Sequence, residues 1–146
     1  MSTERSSSTR WPRLVLIGVG SLLLAASVAK AWHLDRFVLV LEFLLSSWAN
    51  PVVAGVLGAL VVGIEGVLGS ALILLPGARL LIAATGVMLL LFSAVLVYLA
   101  ANDAPGCGCL GAFVSNSRLD ALLGIVRNIA LMGLLAWSWR RKENQP

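Results

Sequence analysis

Cys107 and Cys109 are the only cysteines in the chain. One glycine separates them, in the segment Asp103-Ala-Pro-Gly-Cys-Gly-Cys-Leu-Gly111. Residues two apart can form a disulfide only where the chain bends sharply. Gly106, Gly108 and Gly111 supply the backbone freedom for that bend. So small a ring is strained, and strained, exposed disulfides are the ones that exchange with other thiols. It closes almost no loop and adds little stability through chain entropy. The chemistry this points to is dithiol–disulfide exchange with a partner protein or a quinone. The plainer alternative is a pair of idle thiols or an inert bridge, and the spacing alone leaves both open. Two thiolates and the lone His33 fall short of a usual four-ligand metal site, so no metal is expected.

Three further polar residues stand in otherwise apolar stretches: Glu65, Arg127 and its neighbour Asn128. A charge exposed to lipid costs several kcal/mol, so Glu65 and Arg127 should face the interior of a helical bundle. At ~1.5 Å per residue, Glu65 lies about 20 Å from the outer start of its helix and Arg127 about 12 Å from the start of its own. An arginine side chain bridges much of that offset, so an ion pair between the two is the simplest expectation. The functional alternative is a buried polar site that binds a quinone headgroup or relays protons, with Asn128 adding hydrogen bonds at the same depth. Lys30 and His33 fall near the outer boundary. Lys30 is expected to extend to the headgroups, or else to lower the pKa of a cysteine if the loop folds over it. His33, beside Trp32, reads as an interfacial side chain, with proton shuttling as the alternative. Ser117-Arg-Leu-Asp120 fits a capping box at a helix start.

The elements that must position these residues follow from composition. Of 146 residues, 59% are apolar and 12% charged, and mean hydropathy is +0.93. That excludes a soluble globular domain, which needs about twice the charge, and a disordered chain, which needs fewer apolar residues. The net charge of +4 sits mainly near the chain ends, without interleaved aromatics, so nucleic acid is not an expected partner. Four stretches reach the ~20 residues that span a bilayer: residues 14–32, 52–75, 80–101 and 119–139. A fifth run, 37–48, is too short and reads as an interfacial or re-entrant helix. The predicted fold is an all-α membrane protein, a bundle of four transmembrane helices with a short interfacial helix between the first and second. Continuous rather than alternating apolar runs argue against a β-barrel.

Trp11, Trp32, Trp48, Trp137 and Trp139 all fall at these span ends, where indole prefers to sit. Pro12 and Pro51 precede helix starts, and Pro76-Gly77 marks a tight turn that should make spans two and three antiparallel neighbours. Gly55, Ala59 and Gly63 form one row of small residues, and Gly66 and Ser70 another, both read as helix-packing surfaces. Arg5, Arg10, Arg13, Arg79, Arg140, Arg141 and Lys142 lie on one side; Lys30, Arg36 and Arg118 lie on the other. The positive-inside rule then puts both termini in the cytoplasm and the cysteine loop outside. The division is a cytoplasmic tail (1–13), a membrane domain (14–139) and a second cytoplasmic tail (140–146). Residues 1–29 also resemble a signal peptide ending at Ser27-Val28-Ala29; cleavage there would leave three spans and the same outward cysteines.

Cys-Gly-Cys-Leu-Gly before the last span, with Arg127-Asn128 inside it, resembles the MauE family of methylamine-utilisation membrane proteins, within the wider DoxX-like four-helix group. Lys30 and Glu65 also fall where that family carries such residues, and Leu110 stands where it usually has Phe. The resemblance covers roughly residues 14–139. It implies a role in forming or maintaining disulfides in exported proteins; in methylamine utilisation, that means maturation of a disulfide-rich dehydrogenase subunit.

The resulting expectation is a multi-pass inner-membrane protein whose Cys107 and Cys109 act as a thiol-disulfide oxidoreductase pair. The partner would be a periplasmic thioredoxin-like or disulfide-containing protein. One pair holds one disulfide, so turnover needs an electron sink, either a membrane quinone or a second redox protein. Two other roles compete: a non-catalytic membrane anchor or assembly subunit, and a quinone-binding oxidoreductase subunit with Glu65, Arg127 and Asn128 lining the site.

Overall fold

The structure is a computed structural model that describes residues 10–45, 50–76, 78–102 and 117–143. All five described elements are helices: α1 (Arg10–Trp32), α2 (Leu34–Leu44), α3 (Pro51–Leu74), α4 (Arg79–Ala101) and α5 (Ser117–Glu143). All but α2 are long and apolar enough to cross a membrane. The expected four-span bundle with a short helix between its first two spans is therefore present. Cys107 and Cys109 lie outside the described residues, in the segment joining α4 to α5. Trp48 and Gly77 also lie outside them, as does the hydroxyl of the suggested Ser117 cap; Asp120 sits in the first turn of α5.

Local chemistry sets the helix starts. Asn50 caps α3, its side-chain oxygen accepting a hydrogen bond from the Val53 N–H at 3.0 Å, and Pro51 follows in the first turn. Pro12 falls in the first turn of α1, where no N–H partner is lost. Trp11, Trp32 and Trp137 are exposed near helix ends. Arg79 at the start of α4 lies 6.0 Å from the Trp139 ring near the end of α5, tying those two ends together.

Glycines decide which helices pack. A Cβ on Gly20 would come within 2.7 Å of the Gly69 carbonyl oxygen, and one on Gly69 within 2.9 Å of the Gly20 oxygen. The backbones of α1 and α3 therefore touch, as small residues allow in lipid. Nearer the loop end, the Ser27 hydroxyl donates to the Val62 carbonyl at 2.9 Å, over the space left by Gly66. Gly58 accommodates Leu41, Val38 and Leu34, which seats α2 along α3. On the other side of the bundle Gly124 of α5 receives Leu96 of α4.

One packing expectation holds in part and another is corrected. The helices α3 and α4, joined by the short Pro76 turn, do touch, but the most extensive contacts join α1 to α3 and α4 to α5. Interhelical contact follows where glycines let backbones close, not link length. Of the two small-residue rows, Gly66 meets Ser27, whereas Gly55 and Gly63 have nothing near their Cβ positions and Ala59 is exposed on the outer surface.

Two apolar clusters make the core. One holds Leu16, Val19, Leu23, Leu72, Ile82, Leu89, Leu131 and Leu135. The other, toward the cysteine-loop end, holds Val40, Leu96, Leu99 and Ala121. Between them, in the sequence of the spanning helices, fall Ser27 and Lys30, Glu65, Ser93, and Asn128. The bundle thus has two mainly apolar levels, with Thr85 and Ser138 buried at the first and Asp120 at the second, and a polar layer in between.

Candidate functional site

Lys30 and Glu65 form the centre of that layer. Lys30 Nζ lies 2.5 Å from Glu65 Oε2, and both side chains are buried, 2% and 0% exposed. Two expectations change here. Glu65 takes its salt bridge from Lys30 on α1, not from Arg127 on α5. Lys30 turns inward instead of extending to the headgroups. The physical reason is the closeness of α1 and α3. Their contact at Ser27 and Val62 lies about 16 Å along α3, so the last turn of α1 sits within the bundle and within reach of Glu65. An unpaired charge there would cost several kcal/mol, and pairing offsets that cost. The Phe92 and Phe37 rings add to it, at 4.5 and 5.8 Å from Nζ.

Arg127 and Asn128 enter the same layer from α5. Asn128 is fully buried. Its Nδ2 donates to the Ser93 hydroxyl of α4 at 3.3 Å, and its Oδ1 accepts from Arg127 at 3.4 Å. Ser93 in turn donates to the Leu89 carbonyl at 2.8 Å. Lipid-embedded helices hold one another in this way, by exchanging hydrogen bonds that hydrocarbon cannot provide.

The layer walls a cavity of about 200 Å³. Its wall is almost wholly apolar, made by Phe37, Phe92 and aliphatic side chains from α2, α3 and α4, and Lys30, Arg127 and Asn128 border it with little polar surface turned to the space. The structure thus brings together Arg127 and Asn128, and Glu65 joins them through Lys30 without itself lining the space. His33 is exposed at the junction of α1 and α2, where its carbonyl accepts from the Arg36 and Phe37 N–H groups. Asp120 is buried beside the second apolar cluster, apart from the cavity lining. Sequence reasoning missed Lys30 as the partner of Glu65, and Ser93 as the partner of Asn128. The signal for the first was present: two opposite charges in two apolar spans. For the second it was weak: Ser93 is one of three hydroxyl residues, with Thr85 and Tyr98, in a span whose residues 80–101 carry no charge.

The fold and this layer define a class: a four-span helical membrane protein with an ionic and hydrogen-bonded centre inside its bundle. Residues 9–141 match the family described as methylamine utilisation protein MauE, and the chain belongs to that family. No curated protein and no solved structure matches the chain.

Proposed function

We propose that this protein is an inner-membrane thiol-disulfide exchange factor for exported proteins. In this reading residues 14–139 form the membrane domain, residues 1–13 and 140–146 are cytoplasmic tails, and the Cys107–Cys109 loop faces outward. The observation that carries it is the pairing of the only two cysteines one glycine apart, in a segment tethered to α4 and α5. Membership of the MauE family supports it, since that family is described as serving methylamine utilisation.

The step is an exchange between two dithiol–disulfide pairs. The thiolate of one partner attacks a disulfide sulfur of the other and forms a mixed disulfide. The second cysteine then displaces the first bond, so one disulfide moves one way while two electrons and two protons move the other. A three-residue ring favours this traffic because it is strained and holds no fold together. In the methylamine pathway the exported client would be a disulfide-rich dehydrogenase subunit.

The experiment is to quench cells in acid, alkylate free thiols with a mass tag, and resolve the protein on a gel. The expected result is both dithiol and disulfide forms, with their ratio moving when the cells receive oxidant or reductant. A pair locked in one state under all three conditions would overturn the reading in favour of an anchoring role.

A further inference from the structure

We infer that the cavity among Lys30, Arg127 and Asn128 binds the headgroup of a lipid-soluble quinone that enters from the membrane at α4. Three observations support this. The first is access. Leu91 and Val95 line the cavity and are also exposed on the outer face of α4, at 59% and 36%. The cavity therefore reaches the surface that contacts lipid, and a ligand with an apolar tail can place its head inside and leave its tail in the bilayer. The second is the chemistry of the walls. Lys30 and Arg127 carry only hydrogen-bond donors, and Asn128 Nδ2 has a second hydrogen beyond the one given to Ser93. A few donors at the border of an almost wholly apolar wall suit a flat, largely apolar ring bearing carbonyl acceptors. The third is size: about 200 Å³ holds a substituted six-membered ring, with its apolar tail left outside in the bilayer.

The choice of a quinone, out of all lipid-soluble carbonyl compounds, rests on the exchange reading above. One cysteine pair stores one disulfide, so each turnover in the oxidising direction leaves a dithiol. Re-forming the disulfide releases two electrons and two protons. A quinone takes up both and leaves as the quinol, which balances the step without a further co-reactant. Lys30 is held at the cavity wall by Glu65, whose second oxygen, Oε1, is buried and makes no hydrogen bond among the described residues.

The test uses the full-length protein in phosphatidylcholine nanodiscs and a photoreactive azido-ubiquinone, with the label mapped by mass spectrometry. Labelling should fall on peptides of α2, α4 and α5 around the cavity and be displaced by decylubiquinone. Arg127→Leu should lower the displaceable labelling about tenfold, the scale of one charge-assisted hydrogen bond. Leu91→Trp, on the exposed face and outside the core, should lower it too by closing the opening. The double variant Cys107→Ser/Cys109→Ser should be labelled like the parent, which separates the cavity from the cysteine chemistry. Labelling that decylubiquinone does not displace, or that phosphatidylglycerol displaces instead, would overturn the inference. That result beside normal thiol cycling would leave the exchange reading standing. Displaceable labelling beside cysteines that never cycle would keep the cavity and remove the exchange.

Discussion

A lysine and a glutamate buried to within a few per cent can persist inside a membrane bundle only as a pair. Removing one partner leaves the other charged in a medium that cannot solvate it, at a cost of about 3–5 kcal/mol. Glu65→Leu alone, or Lys30→Met alone, is therefore expected to lower thermal stability in detergent sharply, and the two together to recover most of the loss. The same cycle run between Glu65→Leu and Arg127→Met should give a coupling several-fold smaller. Equal couplings in the two cycles would return Arg127 to the role of Glu65's partner. That Glu65 must turn inward was legible from the sequence, because lipid leaves it no other direction, whereas Lys30, near a helix end, reads as extending to the headgroups. Which charge meets which was not legible. It depends on α1 and α3 closing at Gly20 and Gly69, a contact between residues far apart in the chain.

At the scale of the helix, glycines with the same composition do different work. Gly20 and Gly69 let two backbones touch, whereas Gly63 faces open space. Gly20→Val should cost about 1–3 kcal/mol through overpacking, because its Cβ has a carbonyl oxygen where it must sit. Gly63→Ala should change stability by less than about 1 kcal/mol, the scale of helix propensity alone. Thermal melts of the two variants check this, and a Gly63→Ala loss equal to that of Gly20→Val would contradict the packing. The spans themselves were legible to within a few residues, since an apolar run of bilayer length has few other uses. The pairing of α1 with α3 and of α4 with α5 was not, because a short turn fixes order along the chain and says nothing about which faces close. The helix α2 was visible as an apolar run too short to cross. Its place against Gly58, where Phe37 and Val40 help wall the cavity, needed the fold.

For the whole molecule, orientation decides whether the cysteines meet exported proteins. By sequence Lys30 is one of the outward basic residues, but its ammonium group is paired with Glu65 inside the bundle. That leaves Arg36 and Arg118 on the cysteine side, both exposed, against the seven basic residues of the tails and the Pro76–Arg79 turn. The inward correction of Lys30 thus sharpens the bias that favours cytoplasmic termini. After mild reduction, a membrane-impermeant maleimide should label Cys107 or Cys109 in intact spheroplasts. Labelling that requires lysis would reverse the orientation and take the cysteines away from any exported client.

The central claim is that Cys107 and Cys109 exchange disulfides with another protein, and a trapped intermediate tests it most directly. With one cysteine replaced by serine, no neighbouring thiol remains to resolve a mixed disulfide. Cys107→Ser and Cys109→Ser should each insert at normal abundance, since the ring contributes little to folding. On a non-reducing gel, at least one of them should run partly as a heavier band that collapses with reductant and yields an exported protein by mass spectrometry. If neither variant gives such a band, and the double serine variant supports normal disulfide formation in exported proteins, the exchange account is contradicted and the cysteines are incidental to the role of the bundle.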